Sequence, residues 1–165
     1  MKRTTRHGLS FALILLGATF QTGCVQLAQV DSTHEPLYAP MIGRTYELTQ
    51  PFVVRGIKLP DQISPDPAYI LIMHTPGIGG HLVTDLGLIA AGSRFRIVGA
   101  VTHRSKFFPS TEYVITLEYP ELIRSGGSPI RINNVYAWKL YEQPAAQDQP
   151  PGLSEKYFRP IQIVR

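Results

Sequence analysis

Three features of the chain predict an all-β fold. After residue 24 no stretch repeats apolar residues at helical spacing. Short segments rich in β-branched and aromatic residues recur roughly every ten residues, and Gly- and Pro-rich turns separate them. Together they predict a small barrel or sandwich of about seven short antiparallel strands. Residues 43–165 would form this single domain.

The first two strands are read at Arg44–Thr49 and Pro51–Lys58. In the first, Tyr46 and Leu48 share one face, while Thr45, Glu47 and Thr49 share the other. Leu59–Pro67 carries three prolines, which neither a helix nor an inner strand accepts. Ala68–Met73 is a continuous apolar run of strand length, as burial on both faces requires. His74–His81 is a glycine-rich turn.

Leu88–His103 gives the clearest β pattern, launched by a turn at Gly92. It places Phe95, Ile97, Gly99 and Val101 inward, with Arg94, Arg96, Val98 and Thr102 outward. Thr111–Glu118 answers it, with Tyr113, Ile115 and Leu117 inward and Glu112, Thr116 and Glu118 in solvent. If the two form a hairpin across Arg104–Ser110, only an even residue sum keeps both apolar sets on one face, and one register so permitted sets Arg96 opposite Glu118, Ile97 opposite Leu117 and Val101 opposite Tyr113. Ile130–Glu142 forms a further strand with Tyr136, Trp138 and Leu140 on one side. Gln143–Gly152 is an exposed loop. Tyr157–Val164 is an edge strand, since Pro160 has no N–H to give to a neighbour.

The N-terminus is of a different kind. Lys2, Arg3 and Arg6 precede an apolar body from Leu9 to Phe20, then Gln21-Thr22-Gly23-Cys24. A basic head, a short apolar helix and a small residue before a cut make an export signal. The body falls short of the roughly 20 apolar residues that span a bilayer. Residues 1–25 resemble a bacterial lipoprotein signal. The resemblance implies cleavage between Gly23 and Cys24 and acylation of Cys24, the chain's single cysteine. Val25, rather than aspartate, after the cysteine implies the outer membrane. Residues 1–23 are then the signal, and residues 24–42 the lipidated cysteine and a flexible tether. Val25–Pro40 lacks a sustained period and holds two prolines. A second resemblance covers Leu88-Ile-Ala-Ala-Gly-Ser-Arg-Phe-Arg-Ile-Val98, similar to the central hairpin of bacterial SH3-like barrels, domains that often bind peptides or cell-wall glycopeptides.

Composition narrows the function. Of 16 basic residues three leave with the signal, so 13 face 12 acidic ones in the mature chain. A nucleic-acid binder needs a concentrated basic face, and none is evident. With one cysteine no internal disulfide forms, so burial must hold the fold.

Several constellations hint at chemistry. His74, His81, Asp85 and His103 suggest a zinc set, but no HExxH or paired CxxC spacing accompanies them, so no metal or other cofactor is expected. Gly77-Ile-Gly79-Gly80 lacks the following helix and lysine of a phosphate loop. Ser93, Ser105 and Ser110 lie near His103 in sequence, without a nucleophile-elbow motif. Two surfaces suit binding instead: Arg94 and Arg96 with Arg104 and Lys106, and the aromatics Tyr136, Trp138 and Tyr141 with Phe107 and Phe108 in a loop. The reading is a non-catalytic binding or accessory module, lipid-anchored at the outer membrane and facing the periplasm. Its partner would be an envelope protein, cell-wall glycopeptide or toxin. The alternative is a small cell-wall or periplasmic hydrolase.

Overall fold

A computed structural model of the chain describes residues 28–74, 77–104, 110–119, 123, 126–133, 140–142, 144, 146 and 148–162. These residues are all-β, with no helix among them. Eleven strands are described: β1 (Ala28–Asp31), β2 (Thr45–Leu48), β3 (Phe52–Ile57), β4 (Tyr69–Met73), β5 (Val83–Ile89), β6 (Arg94–Arg104), β7 (Ser110–Leu117), β8 (Ile130–Ile132), β9 (Tyr141–Glu142), β10 (Gly152–Leu153) and β11 (Phe158–Ile161). Nine form one sheet in the order β11-β2-β6-β7-β8-β4-β3-β5, with β1 beside the far half of β6; β9 and β10 pair separately. The β4–β8 pair is parallel. The sheet is therefore mixed and richer in strands than the antiparallel set of about seven that was expected, and no pairing among the described residues closes it.

The inner face curls around one core. Phe52 of β3 stacks on Phe158 of β11 with ring centroids 5.3 Å apart, although the two strands lie far apart along the sheet. Phe95 meets Phe158 edge-on, and Tyr46 stacks on Phe95. The predicted inward sets of β2 and β7 are buried, as are Phe95 and Ile97 of β6. β4 has apolar cover on both faces, its Leu71 and Met73 packing with Val53 in a second cluster. Tyr141 ties β7 to β8 by accepting the Tyr113 N–H and donating to the Ile132 carbonyl.

Further expectations are corrected. Residues 28–42, expected within a tether, belong to the domain: β1 pairs with β6, and Tyr38 and Met41 are buried in the core. The period was hidden because this strand is only four residues long and a turn-rich stretch follows it. Val83–Ile89 is a strand of its own. Its ladder to β3 shifts register beside Leu86–Gly87, so its apolar residues do not alternate.

The β6–β7 register also differs. Arg96 faces Thr116 and Ile97 faces Ile115, and a bulge at Val98 then sets Gly99 opposite Val114 and Ala100 opposite Tyr113. The even-sum rule holds before the bulge and fails after it, because one extra residue exchanges the two faces. Segment 32–33 covers the bulge. Ala100 N–H donates to Thr33 Oγ1, and a Cβ at Gly99 would come within 2.8 Å of that same oxygen. Glu112, expected in solvent, is buried at 3 % exposure. Finally, β8 is described only over Ile130–Ile132, whereas Leu140 is buried and Tyr141 opens β9. Pro160 does lie on an edge strand, β11.

Candidate functional site

The outer face of β6 begins among arginines. Register places Arg159, Glu47 and Arg94 side by side across β11, β2 and β6, and Glu118 N–H donates to the Arg94 carbonyl at the next strand. Two residues along, the row reads Ile161, Thr45, Arg96, Thr116. Side chains two apart share a face, so both rows look the same way. Glu47 is shared, with Arg94 Nε and Arg159 Nη1 each 3.4 Å from its oxygens. Such long, exposed pairs contribute between nothing and about 1 kcal/mol. Arg96 is exposed and has no ion pair among the described residues, and Glu118 likewise has none. A hollow of about 350 Å³ lies here, lined by Thr45, Arg94, Arg96, Thr116, Glu118 and Ile161 over the backbone of β6 and β7.

The same face ends quite differently at His103, about 30 Å along β6 from Arg94 at the usual strand rise. His103 Nε2 lies 3.1 Å from Glu112 Oε2, and Arg131 Nη1 lies 3.6 Å from the same oxygen. Side-chain exposures of 9 % for His103, 4 % for Glu112 and 11 % for Arg131 make this a buried charge cluster. Neither His103 Nε2 nor Glu112 Oε2 completes an aligned hydrogen bond, so proximity of charge holds the contact, an ion pair when His103 is protonated. Arg131 also donates to Gln29 Oε1 at 3.0 Å and lies over the Tyr69 ring at 4.4 Å. Four adjacent strands, β1, β6, β7 and β8, thus meet at one carboxylate.

Other candidates disperse. His74 packs edge-on against Phe52 and Tyr157. His81 is exposed. Asp85 pairs with Arg55 and accepts the Gly87 N–H, and the Gly87 contact first and Arg55 second hold its carboxyl below the usual range. The Thr33 side chain and N–H do the same for Asp31. Among the described residues no group of three His, Cys, Asp or Glu is placed to hold a metal ion. Ser110 lies opposite His103 in the ladder, with no side-chain hydrogen bond between them. Burial pushes the phenols of Tyr113 and Tyr141 well above their ordinary range.

Of the predicted site residues, Arg94 and Arg96 are brought together in the hollow. Gly23, Cys24, Phe107, Phe108, Tyr136 and Trp138 lie outside the described residues. Sequence reasoning missed the roles of Thr45, Thr116 and Arg159 beside the arginines, and of Gln29 and Arg131 around Glu112. Only strand register, which bulges decide, brings these residues together. Among the described residues no helix is long and apolar enough to cross a membrane. Comparison of the chain with protein families, curated proteins and solved structures finds no match.

Proposed function

We propose that this chain is an exported lipoprotein, cleaved after Gly23 and acylated at Cys24, that holds a non-catalytic binding module at the periplasmic side of the outer membrane. Its partner is an envelope protein, cell-wall glycopeptide or toxin, and nucleic acid is not among its ligands. The observation that carries the binding role is the exposed hollow around Arg94 and Arg96, where cations outnumber the carboxylates facing them. The anchor rests on the signal-like segment before Cys24. Acyl chains add about 0.8 kcal/mol per buried CH₂, and two or more hold a protein lastingly.

The described fold bears on orientation. Only three residues lie between Cys24 and Ala28, so four chain steps reach at most about 14 Å. Ala28 pairs with Arg104, so an anchor at Cys24 would join the domain near the His103 end of β6, with the arginine hollow at the opposite end. The SH3-like resemblance at residues 88–98 falls on the β5–β6 connection and the start of β6, and it fits a binding role.

Metabolic labelling with a palmitate analogue should mark the protein, and Cys24→Ser should release it from membranes. An unmarked wild type would remove the anchor. Crosslinking in whole envelopes should capture a stoichiometric partner through the arginine face. The hydrolase alternative draws on His103 beside Glu112, with Ser110 across the ladder. Cell-wall hydrolysis by the purified protein that disappears in Ser110→Ala would favour it.

A further inference from the structure

We infer that the row Thr45–Arg96–Thr116 is a phosphate-binding subsite within the arginine hollow. The inference rests on the reading of this face as a binding surface and does not depend on the lipid anchor. Thr45 and Thr116 are the register partners of Arg96 on either side. Directly opposed residues in antiparallel strands hold their Cβ atoms about 4.5–5.5 Å apart on one face. Two hydroxyls therefore flank the root of the Arg96 side chain, whose long stem can bring the guanidinium fork onto a ligand seated over them. Among the described residues none of these three side chains has a hydrogen-bonding or ionic partner, although the neighbouring Arg94 and Arg159 are both engaged by Glu47.

A guanidinium offers two parallel donors to an oxyanion. A carboxylate, with two oxygens, is satisfied by the fork alone. A phosphate has further oxygens to meet the two hydroxyls, so the full donor set matches it better. Glu47 and Glu118 border the site and disfavour high negative charge. The group that fits is thus a singly charged phosphate, carried on a molecule that approaches from solvent. Arg94 and Arg159 flank it and offset those carboxylates.

The test is titration of detergent-solubilised full-length protein with inorganic phosphate near pH 6, following arginine Nε–Hε and threonine signals by NMR. Sodium chloride at matched ionic strength serves as control, and acetate as competitor. The expected result is a saturable shift at Arg96, Thr45 and Thr116 with Kd on the order of millimolar, as suits an exposed site. Arg96→Gln should weaken binding at least tenfold, and Thr45→Val and Thr116→Val about fivefold each, the net worth of one ordinary hydrogen bond. Thermal melts of the variants report that folding is intact. Shifts that never saturate, that chloride reproduces, or that persist in Arg96→Gln would overturn the site. Acetate binding as tightly as phosphate would overturn its assignment to phosphate. Saturable phosphate binding by a protein that palmitate never labels would remove the anchor and leave this subsite standing.

Discussion

The two ends of β6 present the same outer face under opposite conditions. At Arg94 and Arg96 the neighbours are β2 and β7, with Arg159 on β11 beyond β2, and the arginines stand in water. At His103 the neighbours are β1 and β7, with Arg131 reaching in from β8, and the carboxylate of Glu112 is almost fully enclosed. The difference shows that charge type does not decide a residue's role on a sheet; what lies over it does. Exposed pairs cost little to lose and are free to meet a ligand. Enclosed charges must answer one another, and they fix which strands assemble.

The largest effect should follow from removing the enclosed carboxylate. Glu112→Ala strands His103 and Arg131 without their counter-charge, and urea unfolding should show a loss of about 3 kcal/mol or more. Glu47→Ala at the other end should cost no more than about 1 kcal/mol. Equal losses would break the contrast. Tyr141→Phe should come next, at about 1–3 kcal/mol, because it leaves the buried Tyr113 N–H and Ile132 carbonyl without their partner.

Alkaline pH probes the same interior. Tyr113 and Tyr141 hold their protons above the ordinary value of 10.0 when folded, while the unfolded chain releases them near that value. Above pH 10 the unfolded chain binds fewer protons, so stability must fall as pH rises, and below it their contribution is complete. Denaturant midpoints between pH 8 and 11 check the sign, and Tyr113→Phe with Tyr141→Phe should flatten the decline. Arg96→Gln is the smallest change, within about 0.5 kcal/mol, since its side chain is exposed and unpaired among the described residues.

Much of this fold was legible. The alternation of Tyr46 with Leu48 and of Tyr113, Ile115 and Leu117 marks buried faces because a half-covered strand has period two. The run Tyr69–Met73 gave its two-sided burial away by lacking any alternation. Pro160 marked an edge. What escaped were the places where period two is interrupted. Gly99 and Gly87 are the visible traces of the β6 and β5 irregularities, since a glycine inside a strand often marks a bulge. Misplacing the first reversed the expected environment of Val101 and left Glu112 without its partners. Of the candidate site, the paired arginines were readable from alternation alone. Their threonine and Arg159 neighbours come from β2, β7 and β11, and no local pattern joins those segments.

The central claim is that the outer face at the start of β6 meets the partner. Replacing Glu118 with a photocrosslinking residue tests it in intact envelopes, because Glu118 lines the hollow and among the described residues takes part in no ion pair. The exposed Asp61 serves as the control position. One discrete adduct is expected from position 118, absent from position 61 and lost when Arg96→Gln is added. No adduct at 118, or the same adduct from both positions, would contradict it.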